Sequence, residues 1–362
     1  MSLLFMDSFD HYATADLTEK WTAMAGASGW TPTVGAYGRN GTNGMRIQPN
    51  GVTGVCIGLS ASASGACGFA MKCNALPSSP DPLSIVYDGS GGVPHLQLSI
   101  GADGSLHVYR GDQTSNVGAA WYGVGLYGSW TLLAASDGGV IQAGVWAYVE
   151  WKWTIDDASG SYEVRVNGLT VLSGTSKDTR STNVGAATYS AVSLLSNAGT
   201  VNTRDFDDFY VIDLTGAVNN DFLGDVTVTA LLPTGAGATT GWTPSTGSNY
   251  SCVDEASPND DTDYVSATAV DTKDTYAFDD VPAGSVIKAA QVVSAQRKEN
   301  EGPGKIKHVV RSSSTDYDQA EQGIGGAVYS FLRSVVEVDP ATSAAWSESA
   351  FNAAEFGVKK TG

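Results

Sequence analysis

The residues able to do chemistry in this chain are few and spread out. Glycosidic-bond cleavage on a β scaffold needs two carboxylates delivered to one side of a strand at short range. Glu150 is followed on its own face by Lys152 and Thr154, while Asp205 and Asp207 share a face but begin a strand and lack a glutamate partner. The acids of Asp205 to Asp208 therefore read as a charge-capped strand end. The four histidines, His11, His95, His107 and His308, are scattered, and no Gly-x-Ser-x-Gly elbow accompanies them. Packed or surface imidazoles are expected, no catalytic residue is assigned, and the chain is expected not to be an enzyme. Cys56, Cys67, Cys73 and Cys252 form no CxxC pair and have no histidine at zinc-ligand spacing, so they read as small reduced fillers of an apolar interior.

Two segments invite a ligand. The acidic loop from Asp254 to Asp263 offers Asp260, Asp261 and Asp263 as oxygen donors for calcium, which takes six to eight. It lacks the regular spacing and central glycine of a helical calcium loop, so a solvated turn competes with a weak calcium site. The second is a glycine-rich connection between Asp112 and Leu133 that carries Trp121, Tyr122, Tyr127 and Trp130 where polar turn residues would be expected. Sugars present apolar C–H faces and hydroxyl edges, so an aromatic platform with a few amide or carboxylate partners suits them; Asp112, Gln113 and Asn116 could supply those partners. Packing of the same aromatics onto the fold or onto a second subunit is the competing reading. Arg110-Gly111-Asp112 spells an adhesion tripeptide, but three residues recur by chance and here they only leave a strand.

The elements that must hold these residues are strands. Val145, Ala147, Val149, Trp151 and Trp153 alternate with Trp146, Tyr148, Glu150 and Lys152, the period of a sheet with one buried face. Asn167-Gly168 supplies the positive φ angles of a type I′ hairpin, which predicts Val166 opposite Leu169, Arg165 opposite Thr170 and Val164 opposite Val171. Short strands recur upstream between glycine and proline turns: Val55 to Leu59, Ala66 to Ala70, Leu83 to Tyr87, His95 to Ile100 and Leu106 to Tyr109. The pattern lapses between Asp213 and Phe222, so domains of 1–215 and 221–362 are expected. The second opens with a predicted strand at Val226 to Leu232, a Gly/Thr-rich loop at Pro233 to Asn249, and strands at Tyr264 to Ala269, Thr275 to Phe278, Val286 to Ala295, Ile306 to Arg311 and Val328 to Val338. One helix is expected within Ser343 to Ala354, behind Asp339-Pro340.

Composition agrees with an all-β chain. Its 362 residues include 43 Gly and only 16% charged residues, which suits short strands and tight turns. A formal charge of −18 repels phosphate backbones and anionic lipid, so nucleic acid is not an expected partner. No run of about twenty apolar residues occurs and Met1 to Phe9 has no secretory pattern, so neither membrane insertion nor export is expected.

The strand pattern resembles the concanavalin A-like sandwich, in the laminin G-like version found in tailed-bacteriophage virion proteins. The resemblance rests on Phe5-Met6-Asp7-Ser8-Phe9-Asp10, Lys20-Trp21, Trp146 and Trp151 with Glu150, Val166-Asn167-Gly168 and Asp207-Asp208-Phe209-Tyr210-Val211, over roughly the first three-fifths of the chain. The second part is similar to a C-terminal phage β-module, through Phe222-Leu223-Gly224-Asp225-Val226, Trp242-Thr243-Pro244, Val338-Asp339-Pro340 and Glu355-Phe356-Gly357-Val358-Lys359. What this implies is a jelly-roll sandwich followed by a smaller β-sandwich-like domain with one short helix. It also implies a tail, fibre or decoration protein assembled in the host cytoplasm, among other virion proteins, as a trimer or ring, adhering to host-surface polysaccharide or covering the virion. A glycan depolymerase and a purely architectural protein are the alternatives, since this fold hosts all three.

Overall fold

The computed structural model describes residues 2–25, 31–48, 52–88, 92–112, 130–182, 186–197, 203–299, 302 and 304–362. Nearly all of its regular structure is β, 49% strand against 6% helix. The chain forms two compact units, one of Met1–Phe9 and Ala13–Val228, the other of Asp10–Tyr12 and Thr229–Gly362.

Fifteen described strands build the first unit. They are β1 (Leu3–Asp7), β2 (Ala23–Ala25), β3 (Thr33–Gly35), β4 (Gly44–Ile47), β5 (Thr53–Ser62), β6 (Ser64–Cys73), β7 (Asp81–Asp88), β8 (Val93–Ile100), β9 (Leu106–Gly111), β10 (Trp130–Ala135), β11 (Ala147–Thr154), β12 (Gly160–Val166), β13 (Leu169–Lys177), β14 (Tyr189–Ser196) and β15 (Arg204–Ile212). One sheet runs β13-β12-β11-β6-β15-β4-β3 with β1 beside β15, and the other runs β10-β9-β8-β7-β14-β5-β2. Alternate residues of the central strands of each sheet enter a common core. Val149, Trp151, Trp153 and Phe69 face it from the first sheet, and Val86, Leu96, Val192 and Leu194 from the second, all sealed from solvent. Tyr189 of β14 crosses the gap to stack edge-on against Trp153 at 5.1 Å. Arg204 of β15 crosses it to pair with Asp81 of β7.

The opening motif and the distant Lys20-Trp21 are one cluster. The Asp7 carboxylate accepts from the Lys20 ammonium at 2.8 Å and the Trp21 indole N–H at 2.7 Å, and Trp21 stacks on Phe9 with centroids 6.0 Å apart. A charge buried this deeply requires such satisfaction. The Asn167-Gly168 turn has φ of 50° and 78°, as type I′ demands, and pairs Val166 with Leu169 and Arg165 with Thr170. Val164 then faces Leu172 and not Val171, because a bulge absorbs one residue. That slip carries Leu172 into the core.

Asp205 to Asp208 do begin a strand, β15, but they are not an exposed charged cap. They lie inside β15, buried, and a bulge between Asp207 and Tyr210 turns Asp208 to φ 51°. Asp205 takes a two-pronged contact from Arg46 at 2.7 and 3.0 Å. Residues 226–232 are not a strand either. The Val228 N–H donates to Asp208 at 2.6 Å and the Val226 carbonyl accepts from Arg39, so side chains of the first unit take the backbone groups a ladder would need. The break between units therefore falls after Val228, beyond the 215/221 boundary expected from sequence.

The second unit holds β16 (Pro233–Thr240), β17 (Thr243–Pro244), β18 (Val265–Ser266), β19 (Lys273–Phe278), β20 (Ala290–Gln296), β21 (Gly304–Ser312), β22 (Thr315–Asp318), β23 (Gln322–Ile324), β24 (Ser330–Val336) and β25 (Glu355–Lys360). Its main sheet is β16-β19-β25-β21-β22 with β23 beside β21. The expected Gly/Thr loop thus contains a strand. At Gly237 a Cβ would sit 2.5 Å from the Thr275 backbone, so glycine here permits close strand pairing rather than marking a turn. The expected helix is confined to α2 (Glu348–Asn352), capped by Ser347, whose hydroxyl accepts from Ala350 N; among the described residues the other α-helix is the single turn α1 (Leu17–Lys20). Trp346, Phe351 and Phe356 pack with Val310 and Val336 in its core.

Candidate functional site

The outer face of the seven-stranded sheet gathers polar groups that have no structural task elsewhere. In β9, Leu106 and Val108 enter the core, which sends His107 and Tyr109 to the opposite side. Strand register then lays Leu132, Tyr109, Gln97, Ile85, Ser193 and Cys56 side by side across six strands. His107 lies opposite Ser99 in the next row. Ile85 and Tyr87 form an apolar cluster with Cys56, Ala191 and Leu195, and Trp130 and Val52 pack on it.

A run of alternate residues links four side chains in series. The turn before β9 places Asp103 to accept from the Ser105 hydroxyl at 2.6 Å and from the Ser105 N–H at 3.0 Å. Ser105 Oγ lies 2.8 Å from His107 Nε2, and His107 Nδ1 lies 3.0 Å from the Tyr109 hydroxyl. The proton order follows from the ends. Asp103 can only accept, so Ser105 spends its proton there and its oxygen accepts from Nε2–H; a neutral imidazole then leaves Nδ1 to accept from Tyr109. These bonds from Ser105 hold the Asp103 carboxyl below the usual range, and burial raises the Tyr109 phenol. Such a series can hold and pass a proton, with half-buried Tyr109 as its outer terminus.

Beside it, Gln97 is 5% exposed. Its amide nitrogen donates to Ser99 at 2.7 Å, while its Oε1 has no hydrogen-bond partner. The Trp130 indole N–H on the same face is likewise buried without a partner. A buried polar atom left unpaired costs about 1–3 kcal/mol, which a bound polar ligand would recover.

Of the residues singled out from sequence, Gln113, Asn116, Trp121, Tyr122 and Tyr127 lie outside the described residues. Trp130 packs onto the sheet face. Asp112 is tied to Arg110 at 2.7 Å and accepts from Thr131, so the tripeptide's charged ends bind each other. In the acidic loop, Asp261 pairs with Arg297 at 2.6 Å and accepts from Tyr329 at 3.0 Å, while the Asp260 carbonyl accepts from Tyr329 at 3.2 Å. Asn259 bridges Asp263 and Glu255. Among the described residues no group of three or more acids, histidines or cysteines converges as a metal cage. Glu150 Oε1 accepts from the Tyr210 hydroxyl at 2.5 Å and the Gly224 N–H at 2.8 Å.

Gln97, His107 and Tyr109 were missed by sequence reasoning. Their strands were read correctly, and the alternation 103, 105, 107, 109 was visible, but only register sets Gln97 beside Tyr109.

No protein-family profile matches the chain, and no curated protein matches it. Solved structures similar to it include an endo-β-1,4-glucuronan lyase from Trichoderma reesei, 11% identical, covering 57% of this chain and 94% of the lyase, with a TM-score of 0.42. The alginate lyase vAL-1 from Chlorella virus is 11% identical over 55% of this chain and 95% of its own, TM-score 0.37. Domain 4 of the arabinanase AbnA from Geobacillus stearothermophilus, in complex with arabinotriose, is 18% identical over 58% and 91%, TM-score 0.37. The expectation that the chain is not an enzyme is corrected accordingly: polysaccharide lyases stand among the structures it is similar to, and enzymatic activity is an open reading of this chain.

Proposed function

We propose that the outer face of the seven-stranded sheet binds carbohydrate, and that the chain acts as a glycan-adhesion protein. The observation that carries this reading is the buried, unpartnered amide oxygen of Gln97 beside the ring of Tyr109, with Trp130 on the same face. A sugar can lay a C–H face on an aromatic ring while a hydroxyl satisfies the amide. In line with the strand motifs quoted from the sequence, the setting proposed is the virion of a tailed phage, assembled in the host cytoplasm. There the chain would work as a trimer or ring among other virion proteins, with host-surface polysaccharide as its target.

One observation favours a second reading. The Asp103–Ser105–His107–Tyr109 series places a proton-passing group at the edge of the same face, as a glycan-cleaving enzyme would need. A glycan array with wild type and Tyr109→Ala, followed by assay of chain shortening on every hit, tests both. Binding lost in the variant supports the site, and shortening by wild type alone makes the site catalytic. Unchanged binding in Tyr109→Ala removes this face from the account.

A further inference from the structure

Resting on that carbohydrate reading, we infer that the site selects neutral, hydroxyl-donating sugars and turns away uronates. At the Tyr109–Gln97 pair the free oxygens are acceptors, and the unpartnered donor on the same face, the Trp130 indole N–H, carries no charge. With the imidazole neutral, the Tyr109 hydroxyl donates to His107 Nδ1 and its oxygen's lone pairs remain as acceptors. Directly opposite in register, Gln97 donates one amide N–H to Ser99 and keeps Oε1 unpaired. Two adjacent acceptors fit two donors on one ligand, and the neighbouring hydroxyls of a pyranose supply that pair.

Charge points the same way. Among the described outward residues of β7, β8, β9, β10 and β14, none is Lys or Arg. The nearest arginine in β9, Arg110, is already paired with Asp112 and Asp178. The series ends in the Asp103 carboxylate, and the chain carries −18 overall. A uronate carboxylate entering at this pair would meet two acceptor oxygens and, among the described outward residues, no counter-charge, leaving its negative charge desolvated without an ion partner.

The test is calorimetric titration of the intact protein with a neutral β-glucan oligosaccharide and with an oligogalacturonate of equal length, each at low salt and at about 1 M salt, where long-range repulsion is screened. The neutral sugar should bind at least ten-fold tighter at both salts. Gln97→Leu should lose about ten-fold or more of that binding with its melting temperature unchanged or raised, because an orphaned buried oxygen is removed. Tyr109→Phe should lose a similar factor. Tighter uronate binding, or a preference that vanishes in high salt, overturns the inference while leaving the carbohydrate reading in place. Binding of neither sugar, nor of any glycan on the array, overturns both.

Discussion

Asp81→Asn is expected to be among the most damaging single-atom changes available to this fold. Arg204 is fully buried between the two sheets of the first unit. Its Nη1 donates to the carbonyls of Pro82 at 2.5 Å and Leu195 at 3.4 Å, its Nη2 rests against Asp81, and its Nε has no hydrogen-bond partner. Burial lowers the guanidinium pKa, and the Asp81 charge is the largest influence opposing that shift. Asp81 is itself held by Ser196 Oγ at 2.8 Å and Asn197 N at 3.0 Å, contacts that an asparagine oxygen partly retains. What the substitution removes is therefore charge. Two unit charges about 3 Å apart attract by about 5 kcal/mol at an effective dielectric of about 20, and breaking one partner of a buried pair costs about 3–5 kcal/mol by experience elsewhere. Urea melts followed by tryptophan near-ultraviolet circular dichroism would read the loss as a midpoint shift of about 1 M or more. The double variant Asp81→Leu with Arg204→Met should regain most of it, since an apolar pair avoids the desolvation of both ions. A loss under about 1 kcal/mol in Asp81→Asn, or a double variant as unstable as the single, would refute the view that this pair is a compensated buried charge.

Gly168→Val places a β-branched residue at φ 78° and should cost about 1–3 kcal/mol in the same melts; an unchanged midpoint would show the turn relaxes out of type I′. His95 and His308 are pushed down to about 4 by burial, against an ordinary 6.5. The unfolded chain then binds more protons between these values, so stability is complete above pH 6.5 and falls as pH drops toward 4, by up to about 3 kcal/mol for each histidine. Midpoints at pH 7.5 and pH 4.5 check this, and His308→Gln should flatten the second unit's dependence. Phe222→Ala removes a ring lying under Lys152 at 4.6 Å and Arg165 at 4.3 Å, and should speed proteolytic cutting between residues 214 and 228 while costing the core little.

Legibility followed range. The Asn167-Gly168 hairpin needs only neighbouring residues, and its turn type and first two pairs were readable. The bulge at Val171 was not, because it answers to the core's demand for Leu172. The strand expected at Val226 to Leu232 shows the same limit: its alternation is real, yet Arg39 and Asp208, far away in sequence, claim its backbone groups. Glycines misled in the opposite direction at residues 233–240, where they permit close pairing. The site stayed hidden for a related reason. A histidine count looks scattered until β9 puts His107 and Tyr109 on one face and β8 sets Gln97 against them.

The two outer faces of the sandwich are unequal in how their polar groups are used. On the eight-stranded sheet, Glu150 and Tyr210 are occupied by the backbone of Gly224 and Leu223, Asp208 by Val228 and Arg39, and Lys152 by Asp221. Glu150 and Asp208 thus hold a connector in place. Their polar capacity is consumed, and a ligand there would have to displace the connector and compensate each broken bond. On the seven-stranded sheet a series links Tyr109 through His107 and Ser105 to Asp103, and beside it Gln97 Oε1 accepts from no partner. Unspent hydrogen-bonding capacity beside an aromatic ring is what a polar ligand with an apolar face can use.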